Sequence, residues 1–250
     1  MQLVLLTAFG VGGATIIGAL LGFATKKISH AFSDIIMGFA AGVMLSAAVI
    51  GLVMPSLEYG TKPYGLVVTV AGIFCGALCL NILDKLVPHL HGLAGMDGDG
   101  NGGQLDKILL FVVAIGIHNL PEGIAAGVSF GTENVADALL VAGGIALQNI
   151  PEGMVIITPM LAVGVKPMRT FLIAAGTGLI EVVGTLLGFF AVNISVAILP
   201  FALAFAGGTM IYVVSDEMIP ETHAHGNERG ATYALLIGFC VMIGMDYLLG

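Results

Sequence analysis

The sequence predicts an all-α, polytopic membrane protein with eight transmembrane helices. Three observations predict it. The chain of 250 residues is 58% hydrophobic and only 10% charged, where a soluble domain carries about 25% charged residues; its mean hydropathy is +1.05. Apolar runs of roughly 20 residues, each long enough to cross about 30 Å of hydrocarbon, recur along its length. The basic residues gather in alternate connections between those runs.

The runs fall at about 3–25, 34–57, 64–84, 107–130, 135–162, 169–192, 196–219 and 231–249. The first begins without a basic n-region and is too long for a signal-peptide core, so it reads as a span. The second and third are joined by a short turn. The stretch 85–106, with "HLHGLAGMDGDGNGGQLD" inside it, is rich in Gly, Asp and Asn and reads as a flexible cytoplasmic loop. The remaining connections are short, and the whole chain 1–250 is expected to form one transmembrane domain. Cys75, Cys79 and Cys240 lie in apolar runs and form no disulfide framework. With the N-terminus outside, Lys26, Lys27, Lys85, Lys107, Lys166, Arg169 and Arg229 fall on the cytoplasmic side and only Lys62 outside. The positive-inside rule therefore places both termini outside. The net charge of −8 comes without any basic patch, which excludes a nucleic-acid partner.

The 37 glycines suit close helix packing. "GVGGATIIGALLG" in the first run resembles "GTGLIEVVGTLLG" in the sixth. The likeness predicts an inverted repeat between the first three and the last three helices.

The chemistry concentrates in the fourth to sixth runs. "HNLPEG", His118 to Gly123, returns as "QNIPEG", Gln148 to Gly153. His118 and Glu122 share one face of a helix, as do Gln148 and Glu152, because residues four apart lie one above the other. Asn119 and Asn149 widen each polar face. Glu181 sits at similar depth in the sixth run. An acid at a helix centre costs about 2.5–3.5 kcal/mol on insertion scales. Residues 116–162 contain no Lys or Arg to offset that cost. Clustered carboxylates without a fixed cation must hold protons or bind a mobile cation. Imidazole, carboxylate and amide donors without thiolate suit Zn²⁺ and other first-row divalent ions. Glu122 and Glu152, on different helices, could bridge two ions, which leaves a binuclear site open. Pro121 and Pro151 each remove one backbone N–H and free a carbonyl beside these residues. Met44 in "GVMLS" reads as core packing, with a soft thioether ligand as its second reading.

Around this motif pair the chain resembles the ZIP family of divalent metal transporters, and most resembles its bacterial, GufA-like branch. The resemblance covers essentially the whole chain. It implies Zn²⁺ import into the cytoplasm, a 3+2+3 helix arrangement and a bacterial inner-membrane location. By motif position, His118, Glu122, Gln148 and Glu152 would form the principal metal site. Asn119, Glu122, Asn149, Glu152 and Glu181 would form an adjacent one. Many members carry His where this chain has Gln148, and some carry Asp where it has Asn149. Such a site is expected to bind more loosely, so Cd²⁺, Fe²⁺ or Mn²⁺ stand as further cargo.

Glu58 and Asp246 fall near the outer entrance. Two clusters fall on the cytoplasmic side: Asp84, His89 and His91 after the third helix, and Asp216, Glu217, Glu221, His223 and His225 in and after "DEMIPETHAH", where Pro220 is expected to end the seventh. They are candidates for a metal exit. The many small residues fit a homodimer as well as internal packing. A proton-coupled transporter of a small organic solute is the alternative, disfavoured for anions by the lack of basic residues at depth. An intramembrane zinc protease lacks its H-E-x-x-H motif, so no enzyme is expected.

Overall fold

A computed structural model describes residues 1–25, 28–93, 116–132, 134–162 and 164–249, with the backbone alone at 84, 86–93 and 196. All regular structure among these residues is helical. Helix α1 spans Gln2–Ala24 and α2 His30–Tyr59. Helix α3 spans Gly65–Leu93, and α4 is described over 116–128. Helix α5 spans Val135–Ala162, α6 Pro167–Ile194, α7 Leu199–Thr222 and α8 Glu228–Leu249. Seven of these are long and apolar enough to cross a membrane. The eighth expected span is α4, of which residues 107–115 lie outside the described part.

Several boundaries differ from the sequence reading for identifiable reasons. Helix α2 starts four residues early because the Ser29 side chain accepts a hydrogen bond from Phe32 N–H at 3.2 Å, capping the first turn. Helix α3 does not stop at Asp84. It runs to Leu93, so 85–93 is helical rather than loop, and 94–106 lies outside the described residues. Gly, Asp and Asn concentrate only after residue 93, which is where the loop-forming composition begins. Helix α7 does not break at Pro220. A π-turn over Val214–Met218 precedes the proline, which then starts a fresh α-turn where its missing N–H costs nothing. Helix α2 uses the same device, a π-turn over Val49–Val53 just before Pro55.

The packing follows a two-fold pattern. Helix α1 packs on α5 and α6, α2 on α8, and α3 on α7. The matched stretches of α1 and α6 cross at Gly12 and Gly178, where a side chain on either would collide with the other's carbonyl oxygen. Gly18 lies against Ile150 of α5, and its counterpart Gly184 lies against Leu120 of α4. Gly22 lies against Met154, and Gly188 against Ile124. Gly153 meets the Thr15 carbonyl as Gly123 meets that of Glu181. The swap of α1 with α6 thus carries the α1–α5 contact onto the α6–α4 contact, as the expected inverted repeat requires. Likewise Gly42 and Gly238 join α2 to α8, and Gly76 and Gly208 join α7 to α3.

Two four-helix groups result: α1, α4, α5 and α6, and α2, α3, α7 and α8. The main core lies where they meet and includes Met44, Leu52, Val141, Ile145, Leu203, Met210 and Met242. Leu6, Phe9, Leu66, Phe74, Ile194, Leu236 and other large apolar side chains face outward, as a lipid-facing surface requires. Gly12→Ala is expected to lower the melting temperature of the detergent-purified protein by several degrees, since overpacking costs about 1–3 kcal/mol. Gly13→Ala, with open space beyond it, should leave the melting temperature unchanged; equal shifts would refute the tight α1–α6 crossing.

Candidate metal centre

The repeated motif places its polar residues deep inside the first helix group. His118, Asn119 and Glu122 on α4, Gln148 and Asn149 on α5, and Glu181 on α6 are all buried. Glu152 on α5 is half-buried. The helical spacing turns these faces inward, and the glycines after each glutamate let α5 sit against α1 and α4 against α6. Pro151 lies inside a continuous α5, and Pro121 inside the described part of α4.

Glu122 lies within electrostatic reach of Glu152 and Glu181, with the Gln148 side chain beside it. Glu152 in turn feels His118 and Glu217. No well-aligned hydrogen bond reaches either oxygen of Glu122, Oε1 of Glu152, Oε1 of Gln148, or Oδ1 of Asn119 and Asn149. The donor Gln148 Nε2 stands without such a bond as well; the six oxygens have lone pairs to give, and buried groups of this kind each cost about 1–3 kcal/mol when unpaired. A cavity of about 590 Å³ opens beside them, lined by His118, Asn119, Glu122, Glu152, Asp216 and Glu217 among others.

Glu181 is different. Its Oε1 accepts from Thr15 Oγ1 at 2.6 Å and from Asn119 Nδ2 at 2.5 Å. Its Oε2 accepts from Asn149 Nδ2, which also reaches the Val11 carbonyl at 3.3 Å. One buried carboxylate on α6 therefore ties together α1, α4 and α5. Met44 is fully buried in the core between the groups and is not among the residues lining the cavity.

His118 Nε2 lies 2.8 Å from Glu217 Oε1. Glu217 belongs to the π-turn of α7, so this residue, expected at the exit, instead reaches the central motif. Among the described residues no three His, Cys, Asp or Glu side chains stand ready as a preformed coordination sphere.

Residues 97–246 match the family model described as "ZIP Zinc transporter". The chain belongs to the ZIP family. It is 40% identical to zinc transporter GufA of Myxococcus xanthus, with 96% of each chain covered. It is 38% identical to zinc transporter ZIPB of Bordetella bronchiseptica over 95% of this chain and 78% of that one. It is also 31% identical to human zinc transporter ZIP11, with 98% and 97% covered. This ZIP-family chain is accordingly an integral membrane protein.

Beyond the centre, the basic end of this ZIP chain holds a second polar group. Asp34 on α2 is buried, with His225 Nδ1 at 3.0 Å from Oδ1 and Asn227 Nδ2 at 3.0 Å from Oδ2. His225 Nε2 lies 4.0 Å from Glu221, and its ring stacks on His30 with centroids 4.6 Å apart. A cavity of about 420 Å³ lies here, lined by His30, Glu221 and His225 among others. Glu221 and Val155 line both cavities. His223 is turned away: Nδ1 meets the Ile219 carbonyl at 2.8 Å and Nε2 meets Thr232 at 3.1 Å. The side chains of Asp84, His89 and His91 lie outside the described part. Thr15, His30 and Asp34 escaped the sequence reading. Thr15 had a signal, since the repeat aligns it with Glu181; Asp34 had one as an acid at the head of an apolar run.

Asp34→Ala should lower the melting temperature of the purified protein, because a charge-assisted hydrogen bond is worth about 1.5–3 kcal/mol. His223→Ala should cost less, and the reverse order would show that Asp34 does not hold the α7–α8 turn.

Proposed function

We propose that this chain carries divalent metal ions, zinc foremost, across the bacterial inner membrane into the cytoplasm by alternating access. One observation carries the reading. Buried oxygens of Glu122, Glu152, Asn119, Asn149 and Gln148 lack hydrogen-bond partners in a region without Lys or Arg. A divalent cation satisfies both the charges and the lone pairs at once. His118 would add the nitrogen donor that favours zinc. The relatives' names, all zinc transporters, agree with this cargo. Two neutral amides in place of imidazole and carboxylate weaken discrimination among Zn²⁺, Cd²⁺, Fe²⁺ and Mn²⁺.

Import is the direction that the family resemblance implies, and the basic residues put both termini outside by the positive-inside rule. The cavity beside the centre then opens towards the cytoplasm past Glu217 and Glu221. The neighbouring cavity with His30 and His225 continues the path. Access would alternate as the group holding Glu122 and Glu152 moves against the group holding Glu217.

Proteoliposomes test this directly. Glu122→Ala and Glu152→Ala should each reduce zinc uptake below about a tenth of wild type, the change expected when roughly 1.4 kcal/mol or more of binding is lost. Uptake at the wild-type rate in either variant would remove the residue from the path.

A further inference from the structure

A buried threonine in an apolar helix ordinarily donates its hydroxyl to its own backbone. Thr177 gives it to the Ala174 carbonyl at 2.8 Å, Thr185 to that of Glu181 at 2.9 Å and Thr209 to that of Ala206 at 2.6 Å. Thr15 of α1 differs. It is 1% exposed, and its Oγ1 reaches across the α1–α6 crossing to Glu181 Oε1 at 2.6 Å. Its carbonyl faces α5: a Cβ on Gly153, the residue after Glu152, would stand 2.2 Å from that oxygen. One residue outside the motif pair thus touches the acid of α6 through its side chain. Through its backbone it sets the approach of α5 beside Glu152.

The other donors to Glu181 are Asn119 and Asn149, both members of the motif pair. Thr15 is the donor that comes from elsewhere in the chain. A carboxylate offers about four lone-pair sites, so three donors leave room for an ion on the same group. The Thr15 bond and metal on Glu181 are therefore compatible, as in metal sites whose ligating carboxylates are themselves hydrogen-bonded. We propose that Thr15 is a positioning residue of the metal centre: its hydroxyl holds the Glu181 carboxylate in the orientation in which that group receives the ion. The inference rests on the metal site proposed above and adds α1 to the elements that shape it. The repeat agrees with it. Thr15 stands where α6 has Glu181; a second acid there would face the first and repel it, whereas a hydroxyl supplies a donor.

Two substitutions separate this role from packing. Thr15→Val keeps the shape and loses the donor; Thr15→Ser keeps the donor and loses a methyl. In proteoliposomes Thr15→Val should raise the KM for zinc by about 10–100-fold, as loss of a residue that orients a ligand does, while the maximal rate changes far less. Thr15→Ser should keep a KM near that of wild type. In a Glu181→Gln background Thr15→Val should add little, because residues that act through one another are not additive. A wild-type KM in a folded Thr15→Val protein overturns the inference. So does a serine variant as impaired as the valine one, or the full rise in KM in the Glu181→Gln background. If Thr15→Val fails to fold, crystals of the wild-type protein soaked in Zn²⁺ decide. A Glu181 oxygen should lie about 2.0–2.2 Å from an anomalous peak, with Thr15 Oγ1 still at hydrogen-bond distance from the carboxylate. A peak away from Glu181, or a broken Thr15–Glu181 contact, overturns the inference. Wild-type uptake in Glu122→Ala and Glu152→Ala overturns the site and this inference together; lost uptake there with a wild-type KM in Thr15→Val overturns this inference alone.

Discussion

The structure depends on one constraint: carboxylates placed among apolar helices with one imidazole, and no Lys or Arg in the motif helices, beside them. Lipid offers no water to solvate an acid, and residues 116–162 offer no Lys or Arg. The fold answers it in two ways. Glu181 is enclosed by three neutral donors, so three of its lone pairs are used within the protein. Glu122 has only the neutral Gln148 amide beside it, and Glu152 shares its space with His118 and Glu217. In the function proposed above, a divalent cation completes the second arrangement.

The two-fold repeat explains how such an arrangement can be built from one pattern. Helices α1 and α6 cross with glycine against glycine, and each then carries one copy of the motif helix on its far side. A fully symmetric centre would have matched acids on the crossing and identical motifs at its sides. This chain departs from symmetry in two places. Thr15 faces Glu181, and Gln148 takes the place corresponding to His118. Each departure removes a charge or an imidazole from one half only. The result is asymmetric: α4 carries the imidazole of His118 beside Glu122, and α5 carries the neutral amide of Gln148 beside Glu152.

Much of this was legible in the amino-acid order. Helix α5 begins where the apolar run does, because Asn134 caps it by accepting from Ala136 N–H at 2.9 Å. The motif pair named its own inward faces through helical spacing. What the order did not reveal depends on shape. Pro220 looked like a terminator because a proline breaks an α-helix, yet the π-turn ahead of it absorbs the misfit. Glu217 read as a member of a cytoplasmic exit cluster, and that same π-turn carries it to His118. The enclosure of Glu181 required knowing that three other helices meet at its side chain. Spacing along one chain segment gives faces, whereas partners come only from the crossing of segments.

The His118–Glu217 contact also links the chemistry to the packing. His118 belongs to the α1, α4, α5, α6 group and Glu217 to the other. The contact uses Nε2 of the imidazole. A ring nitrogen that hands its lone pair to a metal cannot at the same time offer a proton to a carboxylate. Metal on Nε2 and the link to α7 therefore exclude each other. Under the proposed function, an ion bound to this nitrogen would release one of the polar ties between the two helix groups, and its departure would allow the tie to form again. The π-turn sets the register of that tie: an unbroken α-helix through residues 214–218 would point Glu217 in another direction, and His118 would lose its partner across the groove.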